Sequence, residues 1–133
     1  MYKLSQLESI GVKFRELLQK AGIEDQEQLL AACSQRSGRQ ALAKETGINP
    51  KLILKWTQQA DLARINGIGE EYAELLEFSG VDSVQTLAQF TPEKLFQTML
   101  QVNEQANLVR AMPSMTKIES WIEQAQTLPS MLE

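Results

Sequence analysis

The amino-acid sequence predicts an all-α protein in which two tandem repeats pack into one compact helical body. A segment recurs at a constant offset of 58 residues, apolar residues follow helical spacing, and no stretch of strand length alternates apolar and polar residues. The repeats are expected at residues 1–61 and 62–133, the second with a short C-terminal tail. No glycine- or proline-rich linker separates them, which favours repeats that pack on each other over repeats joined by a flexible linker.

The recurring segment covers residues 7–23 in the first repeat and 65–81 in the second. Each repeat closes with a tryptophan, and Trp121 follows Trp56 at an offset of 65, so seven residues are inserted in the second repeat. We expect the insert near residues 96–105. Because apolar residues flank both tryptophans at helical spacing, we expect both indoles to be core anchors.

Capping residues predict roughly ten short helices joined by short turns. Gly22 and Gly47 are expected to end helices, since a left-handed C-terminal cap costs glycine least. In the first repeat the predicted starts are the capping box Ser5-Gln6-Leu7-Glu8, then Gly11, Asp25, Ser37 and Asn49-Pro50. In the second repeat they include Ser83, Thr91-Pro92 and Ser114.

The recurring segment resembles the helix-hairpin-helix motif. The second repeat matches better, because Ile65-Asn66-Gly67-Ile68-Gly69 and Ala73 keep both glycines and the following alanine. In the first repeat Ser9 stands at the first glycine and Arg15 replaces the alanine. The order of elements over about 5–128 is similar to that of a bacterial family of tandem helix-hairpin-helix repeats, domain of unknown function (DUF) 4332. The resemblance implies an architecture and no established activity.

In helix-hairpin-helix proteins, the amides at the start of the second helix hold an anion, typically a DNA phosphate. The first hairpin suits this role, since Gly11 is followed by Lys13 and Arg15. In the second repeat the predicted hairpin turn is formed by Gly67 and Gly69. Five acidic residues and no Lys or Arg lie between positions 68 and 82, and they would repel a phosphate backbone. A tight turn between two helices is the simpler interpretation, and we favour it for both hairpins.

A second pattern, residues 42–56, resembles a helix-turn-helix motif, in which the second helix enters the major groove of DNA. Asn49, Lys51 and Lys55 would then contact bases or phosphates. Leu54 would occupy the same face, which does not suit DNA. We therefore favour a glycine-capped helix corner that packs the tryptophan into the core.

Charge separates the two halves of the chain. Residues 1–64 carry 10 Lys or Arg and 7 Asp or Glu, a net charge of +3, whereas residues 65–133 carry 3 and 10, a net charge of −7. We expect the opposite charges to steer the two repeats together, to bring the basic face of one chain onto the acidic face of another, or to attract a comparable protein partner. The alternative is weak, largely non-specific DNA binding through the basic half and the first hairpin. The candidate anion contacts are Gly11, Lys13, Arg15, Arg36, Arg39, Lys51, Lys55 and Arg64.

Several chemistries find no support in the sequence. Histidine is absent and Cys33 is the single cysteine, so imidazole-based triads and cysteine metal clusters are excluded. The spacing of Glu70, Glu74 and Glu77 would suit a divalent cation, but a solvated acidic face is the simpler interpretation. We therefore predict a non-catalytic module with no cofactor, metal or small-molecule substrate. The absence of a signal peptide and of a run of about 20 apolar residues predicts a cytoplasmic protein that does not enter membranes.

Overall fold

A computed structural model describes residues 10–133, and every regular element in this range is an α-helix. This confirms the all-α prediction for the described part of the chain. The capping box predicted at residues 5–8 lies outside the described residues. Residues 10–133 contain eight helices: α1 (Val12–Lys20), α2 (Gln26–Cys33), α3 (Arg36–Thr46), α4 (Pro50–Leu62), α5 (Glu70–Phe78), α6 (Val84–Leu87), α7 (Pro92–Ala106) and α8 (Met115–Thr127).

The chain forms two compact units. The first contains the described residues up to Asp61 together with Met131–Glu133, and the second is Leu62–Ser130. The last three residues lie in the first unit, where the amide of Glu133 donates to the carbonyl of Ser34 at 2.8 Å. None of the described helices has the length and apolar character needed to span a bilayer.

Most helices begin where the capping residues predict. The side chain of Asp25 accepts from the amide of Gln28 at 2.8 Å, and side-chain caps also open α6, α7 and α8. The cap predicted at Ser37 is wrong, because α3 already begins at Arg36 and Gln35 is its N-cap. Only two residues separate α2 from α3, so the chain must turn and restart the helix before Ser37 is reached.

In each core a buried tryptophan contacts a second, partly buried aromatic ring. In the first unit the ring centroids of Phe14 and Trp56 lie 5.4 Å apart with the planes at 56°. In the second unit Tyr72 and Trp121 lie 5.3 Å apart at 54°. Both indoles are 1% exposed, which confirms that they are core residues. These tilted pairs add to the energy gained from burial.

The first helix of each unit also ends in the same way. Gly22 and Gly80 adopt left-handed conformations, with φ values of 88° and 91°. The following amides reach back across the last turn, so that Ile23 donates to Leu18 at 2.9 Å and Val81 donates to Leu76 at 2.8 Å. This is the Schellman arrangement, which satisfies carbonyls left without helical partners.

The units differ in the middle. Helix α6 has 4 residues against 8 in α2, whereas α7 has 15 against 11 in α3. The segment between α7 and α8 is also longer than the one between α3 and α4. Within it, the backbone of Val109 forms two hydrogen bonds, of 3.0 and 3.1 Å, with the side chain of Asn103. The inserted residues therefore lengthen both α7 and the segment that follows it.

Candidate functional site

A surface pocket of about 540 Å³ lies between α3 and α4 in the first unit. The residues that line this α3–α4 pocket are Arg36, Arg39, Gln40, Asn49, Pro50, Lys51 and Leu54. They supply three cationic side chains, two amides and two apolar side chains, and none of them is acidic. This composition favours a ligand that combines negative charge with an apolar group.

The turn between the helices places the two sides of the pocket. Gly47 ends α3 with a φ of 77°, and its amide donates to the carbonyl of Ala43 at 2.8 Å. Ile48 is buried directly after it, which anchors the turn in the core. The side chain of Asn49 then caps α4 by accepting from the amide of Lys51 at 2.9 Å. The turn thus brings the start of α4 beside α3.

The first amides of α4 are already occupied. Besides the bond from Lys51 to the Asn49 side chain, the amides of Leu52 and Ile53 donate to the Asn49 carbonyl at 3.0 and 3.3 Å. Pro50 has no amide hydrogen. An anion in the pocket would therefore meet side chains, chiefly the exposed Arg36 and Lys51, and not a free helix terminus.

Arg39 lines the pocket and has a structural role. It is only 8% exposed, and its guanidinium donates to the carbonyls of Cys33 at 3.0 Å, Ser34 at 3.3 Å and Glu133 at 2.7 Å. Most of its donors are directed at the end of α2 and at the C-terminal segment. Its charge was predicted from the sequence, but these carbonyl partners were not.

The structure brings together only some of the predicted anion contacts. Arg36, Arg39 and Lys51 line one pocket, and the exposed Lys55 follows one helical turn along α4. Arg64 belongs to the second unit, where it donates to the carbonyl of Pro129 at 2.6 Å.

The remaining predicted contacts lie at the start of α1. Gly11 is its N-cap, in an extended conformation with φ −67°, and no side chain caps the helix. Lys13 is exposed and Arg15 is half-buried. None of the three lines the α3–α4 pocket.

The predicted hairpin turn of the second unit is held by a side chain far along the chain. Gly67 has a φ of 98°, and a Cβ atom there would lie 3.0 Å from Nε1 of Trp121, so a side chain would meet the indole. Beside it, the side-chain amide of Gln124 accepts a hydrogen bond from the backbone nitrogen of Asn66 at 2.9 Å. The same side chain donates a hydrogen bond to the backbone carbonyl of Asn66 at 3.2 Å. Gly69 is the N-cap of α5.

Helix α5 carries the acidic surface of the second unit. Glu71, Glu74 and Phe78 are spaced by three and four residues, so they share one face of the helix. Glu71 is exposed and Phe78 is 60% exposed, which is unusual for a side chain of this size. We call these three residues the Phe78 surface.

Cys33 does not have the environment of a reactive thiol. Its side chain is fully buried, and this burial raises the pKa of the thiol, although a hydrogen bond with Thr57 and the charge of Arg39 partly oppose the shift. A raised pKa reduces the thiolate fraction at neutral pH, and the thiolate is the nucleophile. Among residues 10–133 no group of three or more Cys, Asp or Glu side chains is arranged to hold a metal ion.

The fold and these two surfaces define a helical protein whose two units share a core arrangement and differ in surface charge. The chain belongs to the family described as domain of unknown function DUF4332, which matches residues 8–128. No curated protein and no solved structure matches the chain.

Proposed function

We propose that the chain is a non-catalytic interaction module whose first unit binds an acidic protein segment in the α3–α4 pocket. The observation that carries the proposal is the composition of the pocket: exposed Arg36 and Lys51 line it together with Pro50 and Leu54, and none of the described lining residues is acidic. Cations at a rim steer and orient an acidic partner, while apolar contacts supply binding energy.

We further propose that the two units are homologous helix-hairpin-helix repeats. The matched ring pairs, the matched Schellman turns after α1 and α5, and the constant sequence offset of 58 residues support this interpretation. Homology would explain why one core arrangement occurs twice while the surfaces differ, since surface residues are under weaker packing constraints.

Nucleic acid is the second candidate ligand. Lys51 and Lys55 are exposed one turn apart on α4, directly after a glycine-capped turn, as in a helix-turn-helix. Two observations weigh against it: the Asn49 side chain is used to cap α4, and Leu54 lies between the lysines, half-buried. A net charge of −4 also opposes binding to a polyanion.

Titration of the intact chain separates the two candidates. The probes are a fluorescent peptide of alternating glutamate and phenylalanine and a fluorescent DNA duplex of matched net charge, each at low salt and at about 0.15 M salt. We expect the peptide to bind more tightly than the DNA, because its phenylalanine rings can contact Pro50 and Leu54 in the pocket. Lys51→Glu should weaken peptide binding about tenfold or more, whereas Lys94→Glu, which reverses an exposed lysine of the second unit, should leave it unchanged.

Two results would change the conclusion. Tighter binding of the duplex, lost in Lys51→Glu, would make nucleic acid the ligand. Peptide binding that is equally sensitive to Lys94→Glu and Lys51→Glu would show that the α3–α4 pocket is not the site. Arg39 is unsuitable for this test because its substitution would also remove three internal hydrogen bonds.

A further inference from the structure

The second unit carries a surface with the chemistry that the α3–α4 pocket favours. The Phe78 surface combines an aromatic ring, 60% exposed, with the carboxylates of Glu71 and Glu74 on the same face of α5. The nine residues of α5 include four glutamates and no Lys or Arg. An exposed aromatic ring flanked by two carboxylates offers a partner both an apolar contact and negative charge.

The pocket complements this surface in both respects. Leu54 and Pro50 offer apolar contact to a ring, and Arg36 and Lys51 offer cations to the carboxylates beside it. Opposite charges that border an apolar contact set the orientation of the two partners and disfavour other ones.

We infer that the partner of the α3–α4 pocket is the Phe78 surface of a second copy of this chain. The inference rests on the proposed function and specifies its partner. Because the two surfaces are different, the contact is heterologous: each copy offers one pocket and one Phe78 surface. Association therefore continues beyond two copies unless a ring closes.

Self-association of the intact chain tests the inference. Sedimentation velocity over protein concentrations up to about 1 mM should show an average mass that rises with concentration at low salt and less steeply at high salt. Lys51→Glu and Phe78→Ser should each weaken association about tenfold or more. Both residues are exposed, and the helical circular dichroism of each variant checks that it is folded.

A matched control removes an equally exposed apolar side chain elsewhere. Val12 in the first unit is 61% exposed, and it does not line the pocket. Val12→Ser should therefore leave association within about twofold of the original chain. Equal weakening by Val12→Ser and Phe78→Ser would indicate non-specific apolar contact and overturn the inference.

Mixing the two variants gives the sharpest outcome. The Lys51→Glu chain retains a working Phe78 surface, and the Phe78→Ser chain retains a working pocket. Each should be largely monomeric alone, whereas the mixture should form a one-to-one dimer that grows no further, because the remaining surfaces are both altered. A mixture that stays monomeric, or an original chain that is monomeric at every concentration, would overturn the inference.

The failure of the inference is distinguishable from that of the proposed function. If the chain is monomeric but binds the acidic peptide in a manner sensitive to Lys51→Glu, the pocket serves another acidic partner and only the self-association is wrong. If the chain associates and neither Lys51→Glu nor Phe78→Ser affects it, another surface is responsible and the inference fails, whereas the proposed function fails only if peptide binding is also insensitive to Lys51→Glu.

Discussion

Helices α1 and α5 are the opening helices of the two units, and they share their buried side while carrying opposite charges outside. Leu18 and Leu76 are both fully buried at matching positions. Outside, α1 has three basic residues and one glutamate, whereas α5 has four glutamates and no basic residue. Packing thus constrains the buried positions, whereas the exposed positions can change from basic to acidic without altering the fold.

The comparison teaches where specificity resides in this molecule. A core arrangement that occurs twice cannot distinguish partners, so recognition must depend on residues that the two units do not share. Lys20 in α1 and Phe78 in α5 stand at matching positions, yet one is a cation and the other is an exposed ring. Such differences, and not the motif itself, support an assignment of function.

Removing the tryptophans is the strongest way to break the comparison. Trp56→Ala and Trp121→Ala should each lower the free energy of unfolding by about 3–5 kcal/mol, because each leaves a cavity at the centre of a core. Urea unfolding followed by circular dichroism measures both, with Trp→Phe at the same positions as milder controls. A cost below about 1 kcal/mol at only one of the two positions would show that the cores are not equivalent.

Gly38 marks a close approach that is specific to the first unit. A Cβ atom at this position would lie 2.0 Å from the carbonyl oxygen of Ala32 at the end of α2. Gly38→Ala should therefore lower the free energy of unfolding by about 2–3 kcal/mol, although alanine ordinarily favours a helix interior. Helix α7, the counterpart of α3, contains no glycine, so the second unit offers no equivalent position for this approach.

Gly11→Ala is the control for Gly38→Ala. Gly11 has a φ of −67° and no neighbouring atom within 4 Å of an added Cβ, so the change should cost at most about 1 kcal/mol in the same urea experiment. If Gly38→Ala is as mild as Gly11→Ala, α2 and α3 are not in close contact.

A smaller effect is expected where Gln124 holds the turn before α5. Gln124→Ala removes the two hydrogen bonds to the backbone of Asn66 and should cost about 1–2 kcal/mol in thermal unfolding. Gln126→Ala is the matched control, because the hydrogen bond from Gln126 to the carbonyl of Ala88 is long, at 3.4 Å, and its loss should cost under about 0.5 kcal/mol. Equal costs at both positions would contradict a specific role for Gln124.

Much of the fold could be predicted from the sequence because local signals agreed with the core pattern. Asp25, Ser83, Thr91 and Ser114 all cap the helices they were expected to cap, since a cap depends on residues three positions away. The start of α3 was not predicted, because the short segment after α2 and the close approach at Gly38 fix it through tertiary contacts.

The candidate site was only partly predictable. The cations Arg36 and Lys51 were identified from charge, but their place around one pocket depends on how α3 and α4 pack. The internal role of Arg39 depends on carbonyls at Cys33 and at Glu133, 94 residues away, which no local pattern indicates. The exposure of Phe78 could not be predicted from the sequence either, since an aromatic residue at helical spacing ordinarily belongs to a core.

The smallest expected effect is a pH dependence of the unfolding free energy, caused by Cys33 in the first unit. Burial raises the pKa of this thiol in the folded chain, so the folded state retains the proton at pH values where the unfolded thiol has lost it. The resulting stabilisation is complete below the ordinary pKa of a cysteine and is lost as the pH rises above it. The difference in unfolding free energy between the original chain and Cys33→Ala should therefore be constant near neutral pH and decrease as the solution becomes alkaline. Urea unfolding at a series of pH values measures this difference, and a difference that stays constant up to about pH 10 would contradict the shift.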